Sequence, residues 1–282
     1  MALATIDGHR LVALIARGAF SRVFRSLTPS GQDAAFKLLE DGNDKVRISG
    51  IKREYRFLSM LDHPGIPSAY TIGRLPDGRM YEVMQLLPGD NIRNLLRRKR
   101  NWVLGVLPTL LKTTGAALAA VHEKSLVHCD VKPENIVVGP DGRGYLVDFA
   151  STHGPGDWYR FWEKIPQEAS PSYISPEQVA GGKPTRASDA YALGVIVFEI
   201  LAGRPPFTGM SVKALYEAHL KRPAPSLETL VPGVSRDLAK LAALPLEKSP
   251  SRRPVSVHQW CHGVAGCVER LRMAAGVQQH HA

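Results

Sequence analysis

The residues best able to do chemistry are Asp130, Lys132 and Asn135, followed thirteen residues later by Asp148. They stand in the strings Val127, His128, Cys129, Asp130, Val131, Lys132, Pro133, Glu134, Asn135 and Asp148, Phe149, Ala150. A carboxylate can accept or orient a proton, and an ammonium can neutralise developing negative charge. An amide oxygen and a second carboxylate supply the hard oxygen donors a divalent cation prefers. Such a set can surround a transferring phosphoryl group. A purely structural use of the same residues is the weaker reading, because buried carboxylates are strongly unfavourable without partners of this kind.

The elements that must position this set can be read on either side of it. Between Asn135 and Asp148 lies a hairpin pattern, with apolar runs at 136–138 and 145–147 around the turn Gly139, Pro140, Asp141, Gly142. The turn is expected to bring Asn135 and Asp148 side by side at one end of a two-stranded ribbon. Upstream, short β-like runs occupy 11–15, 23–26, 34–39, 68–73 and 80–85, separated by turn signals such as Pro76, Asp77, Gly78. One helical segment at 45–61 interrupts them, which predicts a five-stranded sheet with one helix. From about residue 90 the apolar spacing turns helical, over 92–100, 106–123, 186–202, 212–221, 235–244 and 255–274. No internal repeat or low-complexity linker separates the halves, and residues 85–89 are the expected hinge.

A chain of 282 residues with 44% apolar content can bury a large core, as one big domain or two lobes. Three unevenly placed cysteines make no disulfide framework, and the first twenty residues, interrupted by Asp7, Arg10 and Arg17, form no secretory leader. A reducing, cytoplasmic setting is expected. The longest apolar run, 190–202, contains Glu199 and falls short of the ~20 residues a membrane span needs. The net charge of +10 and the cluster Arg93, Arg97, Arg98, Lys99, Arg100 come without interleaved aromatics, so they read as a solvated helix face and not as a nucleic-acid site. His258, Cys261, His262 and Cys267 share a helix, but Cys267 would lie opposite Cys261 and His258, so one metal could not collect them.

The order of these pieces resembles the eukaryotic-like (Hanks-type) serine/threonine protein kinase family, in the style of a bacterial member. The likeness runs over about 11–271 and implies an α+β, two-lobed fold. Its parts would be an N-terminal five-stranded antiparallel sheet plus one helix, then a mainly helical C-terminal lobe. A single domain at 8–275 is expected, with the N-lobe at about 8–85, the hinge at 85–89 and the C-lobe at 90–275, leaving no room for a sensor or membrane domain. By the resemblance, Asp130 is the catalytic base or orienter, Lys132 stabilises charge on the γ-phosphate, and Asn135 and Asp148 hold Mg2+. Lys37, in Ala34, Ala35, Phe36, Lys37, grips the α- and β-phosphates of ATP, and Glu54 fixes it. Ile15, Gly18, Val23, Ala35, Lys37, Met84, Leu86 and Asn91 line the nucleotide site. Glu177 is expected to pair with Arg253, and Asp189 to accept hydrogen bonds from the backbone of the catalytic loop. These three supports separate protein kinases from small-molecule phosphotransferases of related fold. Lys132, and Ser170 in place of a threonine beside Asp130, resemble the serine/threonine-specific version, with a protein as substrate.

This chain departs from the family pattern in ways that bear on control. Cys129 replaces the arginine that commonly grips an activation-loop phosphate, and beside Asp130 it reads as a half-buried, inert thiol. Ala150 replaces a glycine able to visit positive φ, so an outward flip of Asp148 and Phe149 is expected to be harder. Only Gly18 remains of three glycines between Ile15 and Val23, with Ala16 and Ser21 at the others. Trp158, Tyr159, Phe161 and Trp162 are expected to pack the activation segment onto its own lobe, or to form a partner dock. The alternative function is a pseudokinase or weakly active kinase acting as an ATP-binding scaffold or regulator.

Overall fold

The computed structural model describes residues 4–155 and 171–279. It divides into two compact units, one of Met1–Pro88 with Val147–Thr152, the other of Gly89–Leu146 with His153–Ala282. In the first unit, strands β1 (Ala4–Ile6), β2 (His9–Arg17), β3 (Ser21–Leu27), β4 (Asp33–Leu39), β5 (Ala69–Arg74) and β6 (Met80–Gln85) form an antiparallel sheet ordered β1-β2-β3-β4-β6-β5. The sheet has six strands, not the expected five. The added strand, β1, joins β2 through Asp7 (φ 46°) and Gly8 (φ 79°), the Asp-Gly pair that a two-residue hairpin turn favours.

Strand alternation divides the apolar residues between two faces. Phe24, Ala34, Phe36, Leu38, Tyr81 and Val83 pack on one face with Leu11. Leu39 and Met80 face the other way, against Ile51 of helix α1 (Lys45–Leu58). In the ladder between β4 and β6, Lys37 lies opposite Glu82 and Ala35 opposite Met84. These four therefore point to the α1 side. Asp44 caps α1, its carboxylate accepting from the backbone N–H groups of Val46 and Arg47. The helix stops at Leu58, short of the expected 61.

The second unit contains a small sheet of β7 (Asp90–Asn91), β8 (Ile136–Val138) and β9 (Gly144–Leu146), with Ile136 opposite Leu146. Its helices are α2 (Ile92–Glu123), α3 (Pro176–Val179), α4 (Arg186–Ala202), α5 (Val212–Lys221), α6 (Arg236–Ala243) and α7 (Val257–Gln279). The two helices expected at 92–100 and 106–123 run together as α2, broken only at Lys99 (φ −144°, ψ 40°). Pro108 lies inside it and has no N–H to offer the Leu104 carbonyl four residues back. That carbonyl accepts from the Arg272 guanidinium of α7 instead, as does the Gly105 carbonyl. Closer to the core, a Cβ added to Gly115 of α2 would stand 2.7 Å from the Cβ of Cys261 on α7, so the two helices touch through the missing side chain.

Helix α4 is apolar nearly all round and buried along its length, as a central core helix must be. Thr185 and Ser188 form its capping box, and Gly203 (φ 76°) ends it in the left-handed conformation. Among the described residues, α2 rather than 190–202 is the helix long and apolar enough to cross a membrane by length and composition. Half of that stretch is buried inside the structure.

The basic cluster on α2 is only in part a solvated face. Arg93 binds Glu134, Glu199 and Tyr173. Arg98 pairs with Asp90, and Arg100 donates to the carbonyls of Ile200 and Leu201 at the end of α4. Three of its five cations therefore tie elements together, a use that helical periodicity does not reveal.

Candidate active site

Two sets of chemistry-bearing residues are assembled, one in each unit. In the first, the ammonium of Lys37 on β4 donates to Glu54 Oε2 at 2.5 Å and to Asp148 Oδ1 at 3.1 Å. Burial alone would push the Lys37 pKa down, but Asp148 and Glu54 outweigh it and hold it above the usual lysine value. Glu54 is buried on α1, and its second oxygen accepts from the Phe149 backbone N–H at 3.3 Å. Glu82, buried next to this group, is pushed up to about 9 by its burial and by Glu54.

The segment after β9 is fastened to α1. Asp148 adopts a left-handed backbone (φ 64°), and Phe149, fully buried, opens a 3-10 turn of Phe149–Ser151. Ala150 sits inside that turn, and its carbonyl accepts from Arg53 Nη1 at 2.9 Å. The residue with positive φ is thus Asp148, and no glycine is needed at 150 for this conformation.

Of the residues expected around the nucleotide, Val23 lies opposite Lys37 on β3, and Ala35 and Met84 lie opposite each other on β4 and β6. Ala35 and Met84 are buried, Val23 is half-buried, and Ile15 near the end of β2 and Gly18 in the β2–β3 loop are exposed. That loop closes through the Gly18 N–H on the Ser21 carbonyl at 2.8 Å. Its tip is clasped by the Arg47 guanidinium, 3.7 Å from the centroid of the Phe20 ring. Leu86 lines a groove of about 460 Å³ with Gln32, Asp33, Tyr70 and Gln85. Asn91 belongs to the second unit, where its side chain accepts from the Asn94 N–H and caps α2.

In the second unit, Asp130 Oδ2 accepts from Lys132 Nζ at 2.7 Å and from Asn135 Nδ2 at 2.9 Å. Asn135 Nδ2 also donates to the Asp130 carbonyl at 2.8 Å. With its nitrogen committed, Asn135 keeps Oδ1, a hard oxygen donor of the kind Mg2+ takes. Asp148 is a carboxylate, so the donor chemistry at both positions fits that ion.

The loop carrying Asp130 is shaped from below by Asp189 in the first turn of α4. Its Oδ2 accepts from the His128 N–H and its Oδ1 from the Cys129 N–H, both at 2.9 Å, while His122 Nε2 lies 2.8 Å from Oδ2. Cys129 is held at φ 68°, a conformation strained for any residue with a side chain. Its thiol donates to the Val127 carbonyl at 3.3 Å and lies 3.7 Å from His153 Nδ1.

Further out, Arg253 grips both oxygens of Glu177 at 2.8 Å and donates to the carbonyls of Ala187, Glu247 and Lys248. Burial would raise the Glu177 pKa, but the Arg253 and Ser188 hydrogen bonds bring it below the usual carboxylate value. Sequence reasoning missed His122, Glu82 and the Tyr173–Glu199 pair. His122 did carry a signal, since it follows Leu111, Gly115 and Leu118 on the buried stripe of α2. Trp158, Tyr159, Phe161, Trp162 and Ser170 lie outside the described residues. Among the described residues no group of three or more His, Cys, Asp or Glu gathers as a metal site, and Cys261 is buried against α2 with its thiol pKa raised by that burial.

Residues 10–263 match the protein kinase domain family. The chain belongs to that family. Its curated relatives include the serine/threonine-protein kinase PknA of Mycobacterium tuberculosis, 34% identical over 257 residues, or 88% of this chain and 59% of that protein. Another is the serine/threonine-protein kinase PknL of the same species, 31% identical over 255 residues, which are 89% of this chain and 63% of the relative. A third is the DNA damage-responsive serine/threonine-protein kinase RqkA of Deinococcus radiodurans, 30% identical over 259 residues, with 89% and 39% covered. The chain thus spans between about two fifths and two thirds of the length of these relatives. Within the kinase family the sheet with α1 is the N-terminal part and the helical unit the C-terminal part, as the motif order implied.

Proposed function

We propose that this kinase domain transfers the γ-phosphoryl group of ATP to a serine or threonine hydroxyl of a protein. The observation that carries the reading is the pairing of Lys37 with the buried Glu54 and with the more exposed Asp148, which fixes the ammonium where it can meet a phosphate. Lys37 holds the α- and β-phosphates, and Ile15, Gly18, Val23, Ala35, Met84, Leu86 and Asn91 enclose the rest of the nucleotide. Asp130 accepts and orients the proton of the attacking hydroxyl, and Lys132 neutralises charge on the γ-phosphoryl. Asn135 and Asp148 would hold Mg2+, which would offset the charge of the phosphates. The serine/threonine preference rests on Lys132 and on the names of the relatives. The working domain is taken as 8–275 with its hinge at 85–89. Three free cysteines fit the reducing cytoplasm, where ATP is supplied.

The test is transfer of label from γ-labelled ATP to a generic basic protein and to the chain itself, in the native form and in Asp130→Ala. Serine and threonine labelling that needs magnesium and vanishes in the variant is the expected result. Transfer that persists in Asp130→Ala overturns the mechanism. Magnesium-dependent stabilisation by ATP without any transfer overturns the catalytic reading in favour of a scaffold.

A further inference from the structure

Glu82 is the one buried acid beside Lys37 to which the reaction just described gives no task. It stands mid-strand in β6, in register with Lys37 on β4 and with Ile72 on β5. Directly opposed residues of an antiparallel ladder project to the same face, so Glu82 flanks Lys37 on the α1 side of the sheet. Its side chain is fully buried, and neither of its carboxylate oxygens has a hydrogen-bond partner among the described residues. An aliphatic residue would avoid that penalty, and the flanking Val83 and Met84 show that the strand accepts them.

The charged groups acting on Glu82 are Lys37 from β4, Glu54 from α1 and Asp148 from the segment after β9, and the apolar Ile72 of β5 lies opposite it. Three acids therefore surround one base, and two of them hold it. The third is a vacant acceptor beside an ammonium. Glu54 and Glu82 differ in how they are anchored. Glu54 rides on a helix, attached by side-chain packing and its loops, whereas Glu82 is fixed by backbone hydrogen bonds to strands on both sides.

We propose that Glu82 is a positioning residue for Lys37: a second acceptor, fixed to the sheet, that takes the ammonium when Glu54 on α1 is withdrawn. This rests on the reading of Lys37 as the phosphate-gripping lysine. The consequence is that Lys37 keeps the Glu82 carboxyl as an acceptor beside Asp148 and stays on the α1 face of the sheet through displacements of the helix. Loss of Glu54 should then cost this chain less than the geometry of the Lys37–Glu54 pair alone suggests.

A double-mutant cycle of Glu54→Gln and Glu82→Met in the full chain tests this, with Glu82→Gln as an isosteric variant that keeps an acceptor oxygen. Two readouts are taken, the KM for ATP against kcat, and the melting temperature without nucleotide. Glu54→Gln is expected to raise KM by about tenfold or less in the native background, and by roughly tenfold more when Glu82 is Met. The Glu82→Gln background should fall between them. The melting temperature should drop further on losing Glu54 when Glu82 is absent. Equal changes with and without Glu82, in both readouts, overturn the proposal. If the native chain transfers no phosphoryl group, the kinase reading fails by itself, and the melting cycle still decides whether Lys37 can change partner.

Discussion

Asp189→Asn isolates the part of the fold that shapes the Asp130 loop. The native carboxylate accepts the His128 and Cys129 N–H groups on separate oxygens and holds His122. The amide keeps the shape but turns one acceptor into a donor, so one buried loop N–H faces an NH2 group. An unsatisfied buried N–H costs about 1–3 kcal/mol, and losing the charge on the remaining bond adds roughly 1 kcal/mol. The expected fall in stability is therefore about 2–4 kcal/mol. Catalysis should suffer for a second reason. Cys129 sits at φ 68°, where the backbone is strained by about 1–2 kcal/mol, and its bond to Asp189 is part of what holds it there. Once released, the loop relaxes and carries Asp130, the next residue, with it.

A displacement of about 1 Å at a catalytic group is worth ~10²-fold in rate. Accordingly kcat should fall about 10- to 100-fold, while the KM for ATP moves by less than about threefold, because Lys37 and Glu54 belong to the other unit and are untouched. Urea unfolding and steady-state kinetics on the purified variant read both effects. A variant that loses the expected stability yet keeps kcat within about twofold of native would refute the claim that Asp189 sets the loop geometry.

Arg253→Met should destabilise by about 3–5 kcal/mol in urea unfolding, because it strands the Glu177 carboxylate and three carbonyls inside the second unit. Gly115→Ala should cost about 1–3 kcal/mol by overpacking against Cys261, and Gly115→Ala with Cys261→Ala should recover part of it, as differential scanning calorimetry can show. Burial, and the Lys248 charge, push His219 down to about 3 from the ordinary 6.5. Its contribution is therefore fully present above pH 6.5 and lost progressively as pH falls toward 3, because only the unfolded chain takes up the proton in that window. His219→Gln should flatten the acid limb of the stability curve relative to the native chain, and parallel limbs would contradict the assignment.

The legible parts of this protein were those in which one local pattern decides. The period of the apolar residues placed β2 to β6 and put α4 and α5 at their observed bounds, since a fully apolar helix and a short amphipathic one leave little alternative. The first strand escaped because three residues are too few to show a period, although Asp7 and Gly8 announced the hairpin. The break at Lys99 falls one residue from the expected end of the first helix at 100, but the chain resumes its helix at once and not at 106. Two helices were expected and one kinked helix is observed, with Arg272 compensating for Pro108 from a position far along the chain.

For the site, residue types and motif order marked Lys37, Glu54, Asp130, Lys132, Asn135 and Asp148, along with the supports Asp189, Glu177 and Arg253. Motifs carry such information because a given chemistry restricts which side chains can serve. The basic cluster on α2 could be read only as a charged face, since the partners of Arg93, Arg98 and Arg100 include groups distant in sequence. Tertiary structure alone decided that Cys129 and Asp148 would take left-handed backbones, that His122 would share Asp189 with the loop, and that a third acid, Glu82, would stand beside Lys37 without a hydrogen-bond partner among the described residues. Each of these depends on which residues meet across strands and helices, and a hydrogen bond or an ion pair forms between neighbours in space, which the chain order does not specify.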